Sequence, residues 1–361
     1  MQILIDITLG ILTTYLSLTN SLADQITNLL PSEVAPEEVS VVDYHAPRGL
    51  AKIASAYLAL PQILIGNAAY QNASVINAQL HATTSSPVEA LVNIFCTYTF
   101  DESTKTTTGT GYFIDSDGII LTNAHVAQFL LLAGIEGSAE CIIRTGNPAE
   151  PAYRANLLYI SPAWVQKNAQ LINQERPQGT GERDYALLYV TAGLTDQPLP
   201  PHFPALSFDD ELMRTSAIDT RVFAAGYPAE TLFAADSVVA ELVPRQATTS
   251  IRELMTFGSN YADIFTVGGS DIGEQGSSGG PVVNLAGDAI GLISTRGDDS
   301  VFGEGSLRAL TISYIDRTIQ EETGFTLRQS LGGNLPFRAQ LFTDTLVPFL
   351  RGMLERELEQ Q

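Results

Sequence analysis

Between Val88 and about Ile319 the apolar positions come in short, strand-sized runs separated by polar turns. Val92-Asn93-Ile94-Phe95-Cys96, Gly111-Tyr112-Phe113-Ile114, Ile119-Ile120-Leu121, Cys141-Ile142-Ile143, Ala186-Leu187-Leu188-Tyr189-Val190 and Val222-Phe223-Ala224-Ala225 each read as a strand, continuous or alternating. Val282-Val283-Asn284, Ala289 to Ser294 and Leu310-Thr311-Ile312 extend the series. Asp115-Ser116-Asp117-Gly118 has the composition of a turn between two of them. Short strands at this spacing, without alternating helices, predict a sandwich or a pair of barrels. Asn168 to Glu182, with Pro177, Gly179 and Gly181, reads as a surface loop or insertion.

The pattern differs on either side. Leu50 to Gln62 has apolar residues at helical spacing, and Leu341 to Glu359 carries recurrent leucines that predict an amphipathic packing helix. Pro31 to Glu38 is an acidic, proline-containing linker, and Ser85-Ser86-Pro87 punctuates the chain before the strands begin. The organisation expected is a largely helical N-terminal extension over 1–88, an all-β core over 89–319 and a helical extension over 320–361. Ile3 to Leu18 is apolar with a single charge, Asp6. It lacks the positive leader of an export signal and is shorter than the roughly 20 residues of a membrane helix. A packing helix, an atypical signal and an anchor therefore stay open for 1–23.

Composition narrows the partners. A chain of 361 residues with 45% hydrophobic content is long enough for one large core or two domains. Its net charge of -21, from 40 acidic and 19 basic residues, argues against nucleic acid as a partner. The only cysteines, Cys96 and Cys141, do not form a paired metal motif. They read as separate buried thiols, with a disulfide as the alternative because both lie in strand-like runs. The 4 histidines, His45, His81, His125 and His202, are too dispersed to suggest a zinc cluster, so no metal or cofactor is expected.

Three residues combine into chemistry. His125 follows an apolar strand in Leu121-Thr122-Asn123-Ala124-His125-Val126, and Asp184 precedes one in Arg183-Asp184-Tyr185-Ala186-Leu187-Leu188. Ser278 sits in Gly276-Ser277-Ser278-Gly279-Gly280-Pro281, where small residues can hold a hydroxyl exposed at a loop tip. Alone, each has an ordinary alternative as a core histidine, a strand-edge acid or a loop serine. Together with Gly109-Thr110-Gly111-Tyr112-Phe113-Ile114, Ala225-Gly226-Tyr227-Pro228 and Gly287 to Ser294, in this order and spacing, the chain resembles the chymotrypsin-like serine peptidases, particularly the bacterial HtrA-type branch. The resemblance covers roughly residues 89 to 317. It implies two six-stranded antiparallel β-barrels with the active site between them.

The resemblance also implies roles. Ser278 attacks the scissile carbonyl, His125 takes its proton and Asp184 orients the imidazole. The backbone N–H groups of Gly276 and Ser278 form the oxyanion hole. An imidazole with the ordinary pKa of roughly 6.5 is a base only above mildly acidic pH, so activity is expected to rise toward neutrality. The residue before the nucleophile, often Asn or Asp in the family, is Ser277, which cannot pair with a new N-terminus as in zymogen activation. The position matching the pocket base is near Ile272, and the matching wall begins at Ser294-Thr295-Arg296. This implies cleavage after small or medium apolar residues of polypeptide substrates. A homo-oligomer and a cell-envelope or secreted location also fit the resemblance. The tail of about 40 residues is too short for the branch's usual peptide-binding domain. The rival readings are a catalytically weak binding or assembly module and an esterase.

Overall fold

The computed structural model describes residues 68–73, 81–100, 103–133, 139–174, 181–195, 198–229, 241–273 and 276–359. The expectations for 1–23, Pro31 to Glu38 and Leu50 to Gln62 lie outside the described residues.

After α1 (Ala68–Ala73) and the single turn α2 (Pro87–Ala90) come β1 (Leu91–Phe100), β2 (Ser103–Asp115), β3 (Ile119–Thr122), β4 (Ala139–Thr145), β5 (Glu150–Ile160) and β6 (Ala186–Gly193). They close into one barrel in the order β1-β2-β3-β6-β5-β4. Then β7 (Arg221–Gly226), β8 (Arg245–Met255), β9 (Ile264–Val267), β10 (Pro281–Val283), β11 (Ala289–Arg296) and β12 (Leu307–Thr311) close into a second, in the order β10-β11-β12-β9-β8-β7. Every pairing within the barrels is antiparallel. Closure leaves no sheet edge unpaired, and alternate side chains fill each interior. The second barrel holds its own apolar cluster around Val222, Ile251, Phe265, Val267, Val282 and Ile293.

Every run read as a strand falls on one, whereas β5, β8 and β9 were not anticipated. β8 is polar along most of its length, with only Ile251 and Leu254 buried, and β5 becomes continuously buried only from Leu157. β9 has four residues, all buried, in surroundings rich in Gly and Ser.

Two further expectations are corrected. Cys96 and Cys141 are not separate thiols but a disulfide. They face each other directly in the β1–β4 register, a pairing that local sequence does not reveal. The stretch read as a surface loop from Asn168 is not one in its first half. It closes α4 (Pro162–Asn168), capped by the Ser161 hydroxyl accepting the Trp164 N–H at 3.1 Å. It continues as a 3-10 turn, Ala169–Asn173, that buries Ala169, Leu171 and Ile172.

The C-terminal region is helical. After the single turn α5 (Asp299–Phe302), α6 (Ile312–Thr323) starts directly from the last barrel strand. α7 (Leu327–Ser330), α8 (Leu335–Thr345) and α9 (Val347–Leu358) follow. The leucine-rich stretch is thus two helices broken at Leu346, with Pro348 in the first turn of the second. Val347, Leu350, Leu354 and Leu358 form the buried stripe of α9, which packs on the 3-10 turn Ala169–Asn173. Among the described residues no helix is long and apolar enough to cross a membrane.

Candidate active site

β3 ends at Thr122 and Asn123 stays extended, so His125 lies in the first turn of α3 (Ala124–Ala127), at the mouth of the first barrel. Asp184 precedes β6 across the same rim. The Asn123 amide donates to the Asp184 carbonyl oxygen at 2.9 Å and draws the two segments together. The His125 backbone N–H donates to Asp184 Oδ1 at 2.9 Å, and Nδ1 meets Oδ2 at 2.8 Å. The Nδ1–Oδ2 contact suits the tautomer with its proton on Nδ1, which leaves the Nε2 lone pair free. Ser294, from β11 of the other barrel, donates its hydroxyl to Oδ2 at 2.7 Å. Asp184 is fully buried and His125 is 7% exposed, so the pair is shielded from solvent.

The serine turn enters from the second barrel. Gly276 has φ +99° and Gly279 φ +91°, a region that side chains rarely adopt. A Cβ on Gly276 would lie 2.6 Å from the Tyr227 carbonyl oxygen, and one on Gly279 would sit on the Thr110 carbonyl oxygen. The turn is pinned by Thr110 of β2. Its N–H donates to the Ser278 carbonyl at 2.8 Å and its hydroxyl donates to the Gly276 carbonyl at 2.7 Å. The same hydroxyl accepts the Tyr227 N–H at 2.9 Å, and Thr122 donates to the Thr110 carbonyl at 2.7 Å. Among the described residues, the N–H groups of Gly276 and Ser278 donate to no partner.

Ser278 is half-buried, and its hydroxyl donates to the Ser294 carbonyl at 3.3 Å. Among the described residues no hydrogen bond joins it to His125. Ser294 therefore touches both halves of the site, through its hydroxyl on Asp184 and its carbonyl on Ser278. Ser277 is fully buried beside Gly226, and its hydroxyl has no hydrogen-bond partner among the described residues.

Of the remaining residues expected from sequence, Ile272 lies wholly inside the apolar cluster of the second barrel. Next to it, Gly273 is so close to Gly305 that a Cβ would overlap its backbone. Thr295 is half-buried on β11, and Arg296 is exposed and paired with Asp299 at 3.1 Å. His81, Asp115 and Asp117 bring ligand atoms within 4.8 Å of one another, yet both Asp115 oxygens already accept backbone N–H groups from Asp117 and His81.

Sequence reading gave no role to Thr110, although it lies inside the Gly109-Thr110-Gly111 run, and a hydroxyl between two glycines was the available signal. It took Ser294 as a pocket wall rather than a partner of Asp184. It also passed over Arg183, whose ion-pair partners Glu321 and Glu322 lie far along the chain with no local pattern linking them.

No curated protein matches the chain in sequence. Among solved structures it is similar to the active form of the Rv3671c protease from M. tuberculosis, at 20% identity, covering 69% of this chain and 91% of that one with a TM-score of 0.41. The inactive form of that protease matches at 21% identity, covering 65% and 89%, with a TM-score of 0.39. The model of the trypsin-like peptidase domain matches residues 109–292, more than half of the 361 residues and the span that carries His125, Asp184 and Ser278. The chain belongs to the family of trypsin-like peptidase domains.

Proposed function

We propose that the protein is a serine endopeptidase of the HtrA type that works through an acyl-enzyme intermediate. The observation that carries this reading is the buried Asp184 holding His125 by two bonds, one to its backbone N–H at 2.9 Å and one to ring Nδ1 at 2.8 Å, on the rim facing the Ser278 turn. Ser278 Oγ leaves the Ser294 carbonyl, turns toward His125 Nε2 and attacks the scissile carbonyl carbon as its proton passes to Nε2. Asp184 stabilises the imidazolium so formed. The oxyanion is received by the unengaged N–H groups of Gly276 and Ser278. Collapse expels the amine with the proton from Nε2, and water repeats the sequence to release the acid.

For specificity, the preference for small or medium apolar residues before the cleaved bond rests on the family resemblance and on the lack of a carboxylate at position 272, since the Ile272 side chain itself lies in the core. A library profile dominated by Lys or Arg would sink that preference. The Cys96–Cys141 disulfide supports an oxidising compartment, the cell envelope or the exterior.

One observation favours the rival reading of a catalytically weak binding module: the Ser278 hydroxyl rests on the Ser294 carbonyl. Fluorophosphonate labelling decides between them. Covalent labelling of Ser278, abolished in Ser278→Ala, together with cleavage of a protein substrate, is the expected result. A wild-type protein that resists labelling refutes the peptidase, and one that labels but hydrolyses only activated esters is an esterase.

A further inference from the structure

We propose that Arg183 is a positioning residue for Asp184, clamped by the C-terminal helix α6 so that this helix sets the geometry of the His125–Asp184 pair. The inference deepens the peptidase reading and rests on it for its kinetic consequence, while its geometric consequence can be measured without activity.

Asp184 leaves a tight turn, in which its N–H donates to the Gly181 carbonyl at 3.1 Å and Arg183 has φ +56°. The Tyr185 N–H reaches back to the Arg183 carbonyl at 2.9 Å. A non-glycine residue in the left-handed region is strained and persists only where its surroundings hold it. Here the Arg183 N–H and guanidinium are both held by α6. The Arg183 N–H donates to the Tyr314 hydroxyl at 3.1 Å, and Nη1 donates to Glu322 Oε1 at 2.7 Å. Nη2 donates to Glu321 Oε2 at 2.8 Å. On the other side of Asp184, the Tyr185 hydroxyl pairs with the Thr318 hydroxyl at 2.9 Å. Both sequence neighbours of the acid are thus tied to one helix.

The anchor is itself fixed. Glu322 is 1% exposed and also accepts from the hydroxyls of Tyr159 and Ser161 in the first barrel, the latter at 2.9 Å. α6 reaches the second barrel through Arg317, which pairs with buried Asp263 at 2.7 Å. The helix therefore spans from the barrel that supplies Ser278 to the loop that supplies Asp184. The His125 side is held similarly, because Arg351 of α9 donates to the carbonyls of Leu131 and Ala133 at 2.7 and 2.9 Å, beyond the turn carrying His125.

A misplacement of about 1 Å can cost roughly a hundredfold in rate. The test uses the full chain with Arg183→Lys and with Arg183→Met combined with Glu322→Gln, which removes both charges and strands neither. Thermal unfolding and near-ultraviolet circular dichroism establish that each variant is folded. For the double variant, kcat on one peptide substrate is expected to fall roughly 10- to 100-fold with KM changed less than about twofold, and Arg183→Lys is expected to recover part of the loss. The downfield proton resonance of the His125 imidazole N–H, identified by its absence in His125→Ala, is expected to move or broaden in the double variant. A folded double variant with unchanged kcat and an unchanged resonance overturns the proposal. If the double variant does not fold, Arg183→Lys with both readouts unchanged does the same. If wild type fails to label at Ser278 while the resonance still responds to Arg183, the positioning inference stands and the peptidase reading falls.

Discussion

Replacing the Thr110 hydroxyl by a methyl group in Thr110→Val tests how the serine turn is held. The swap keeps the shape of the side chain and orphans two groups at once: the Tyr227 N–H loses its 2.9 Å acceptor and the Gly276 carbonyl its 2.7 Å donor. Both lie where water does not reach, since Thr110 and Gly276 are buried and Tyr227 is 1% exposed. Each orphaned group costs about 1 to 3 kcal/mol, and the added methyl offsets about 0.8 kcal/mol. A net loss of about 1 to 5 kcal/mol in unfolding free energy follows, centred near 3 kcal/mol. The Gly276–Ser277 peptide, released from Thr110, also leaves the oxyanion geometry, so the rate of fluorophosphonate labelling is expected to fall roughly tenfold or more. Thr110→Ser keeps the hydroxyl and deletes only a methyl, so it should lose about 1 kcal/mol and label at a rate near that of wild type. Urea unfolding and labelling time courses on the three proteins decide the matter. A Val variant within about 0.5 kcal/mol of wild type, labelled at the wild-type rate, refutes the reasoning, because a surface-like environment would then be satisfying both groups.

Three further outcomes are expected. Gly276→Ala forces a side chain into φ +99° and toward the Tyr227 carbonyl. It should cut kcat by roughly 100- to 1000-fold while unfolding free energy falls by only about 1 to 2 kcal/mol, so equal losses in the two would contradict an oxyanion role. Replacing Cys96 and Cys141 together by Ala opens a cross-link between residues 45 apart, which the chain-entropy relation values at about 4 kcal/mol. Denaturant curves unchanged by the double replacement would disprove that contribution. Burial pushes the Asp115 carboxyl above its ordinary value of 3.8, against the backbone N–H donors of Asp117 and His81. Its folded form thus holds the proton more tightly than the unfolded chain, so the stability it contributes is complete below that ordinary value and is lost as pH rises through the raised one. Asp115→Asn should lose less stability than wild type as pH rises above the ordinary value of 3.8, and parallel profiles would count against the shift.

The local grammar of the chain carried much of the architecture. Alternating and continuous apolar runs named most strands whose burial is strong, such as β3 and β10, whose residues are all buried, while the equally buried four-residue β9 escaped. β8 escaped because a barrel strand facing solvent along most of its length has too few apolar residues to leave a period. The disulfide escaped because strand register is set by the packing of whole sheets, and only the β1–β4 register puts Cys96 opposite Cys141.

His125, Asp184 and Ser278 were legible because each sits in a short motif whose glycines and strand ends are dictated locally. Local chemistry, acting over a few residues, is what sequence alone can determine: turn glycines at 276 and 279, strand runs, an acidic surface and a reactive side chain at a loop tip. The supporting contacts join residues far apart in sequence, Thr110 with Gly276, Ser294 with Asp184, Arg183 with Glu322. Which distant donor meets which buried acceptor depends on two barrels closing and one helix packing across them. Only the tertiary structure fixes that, because each such bond has its strength only where the fold has excluded water.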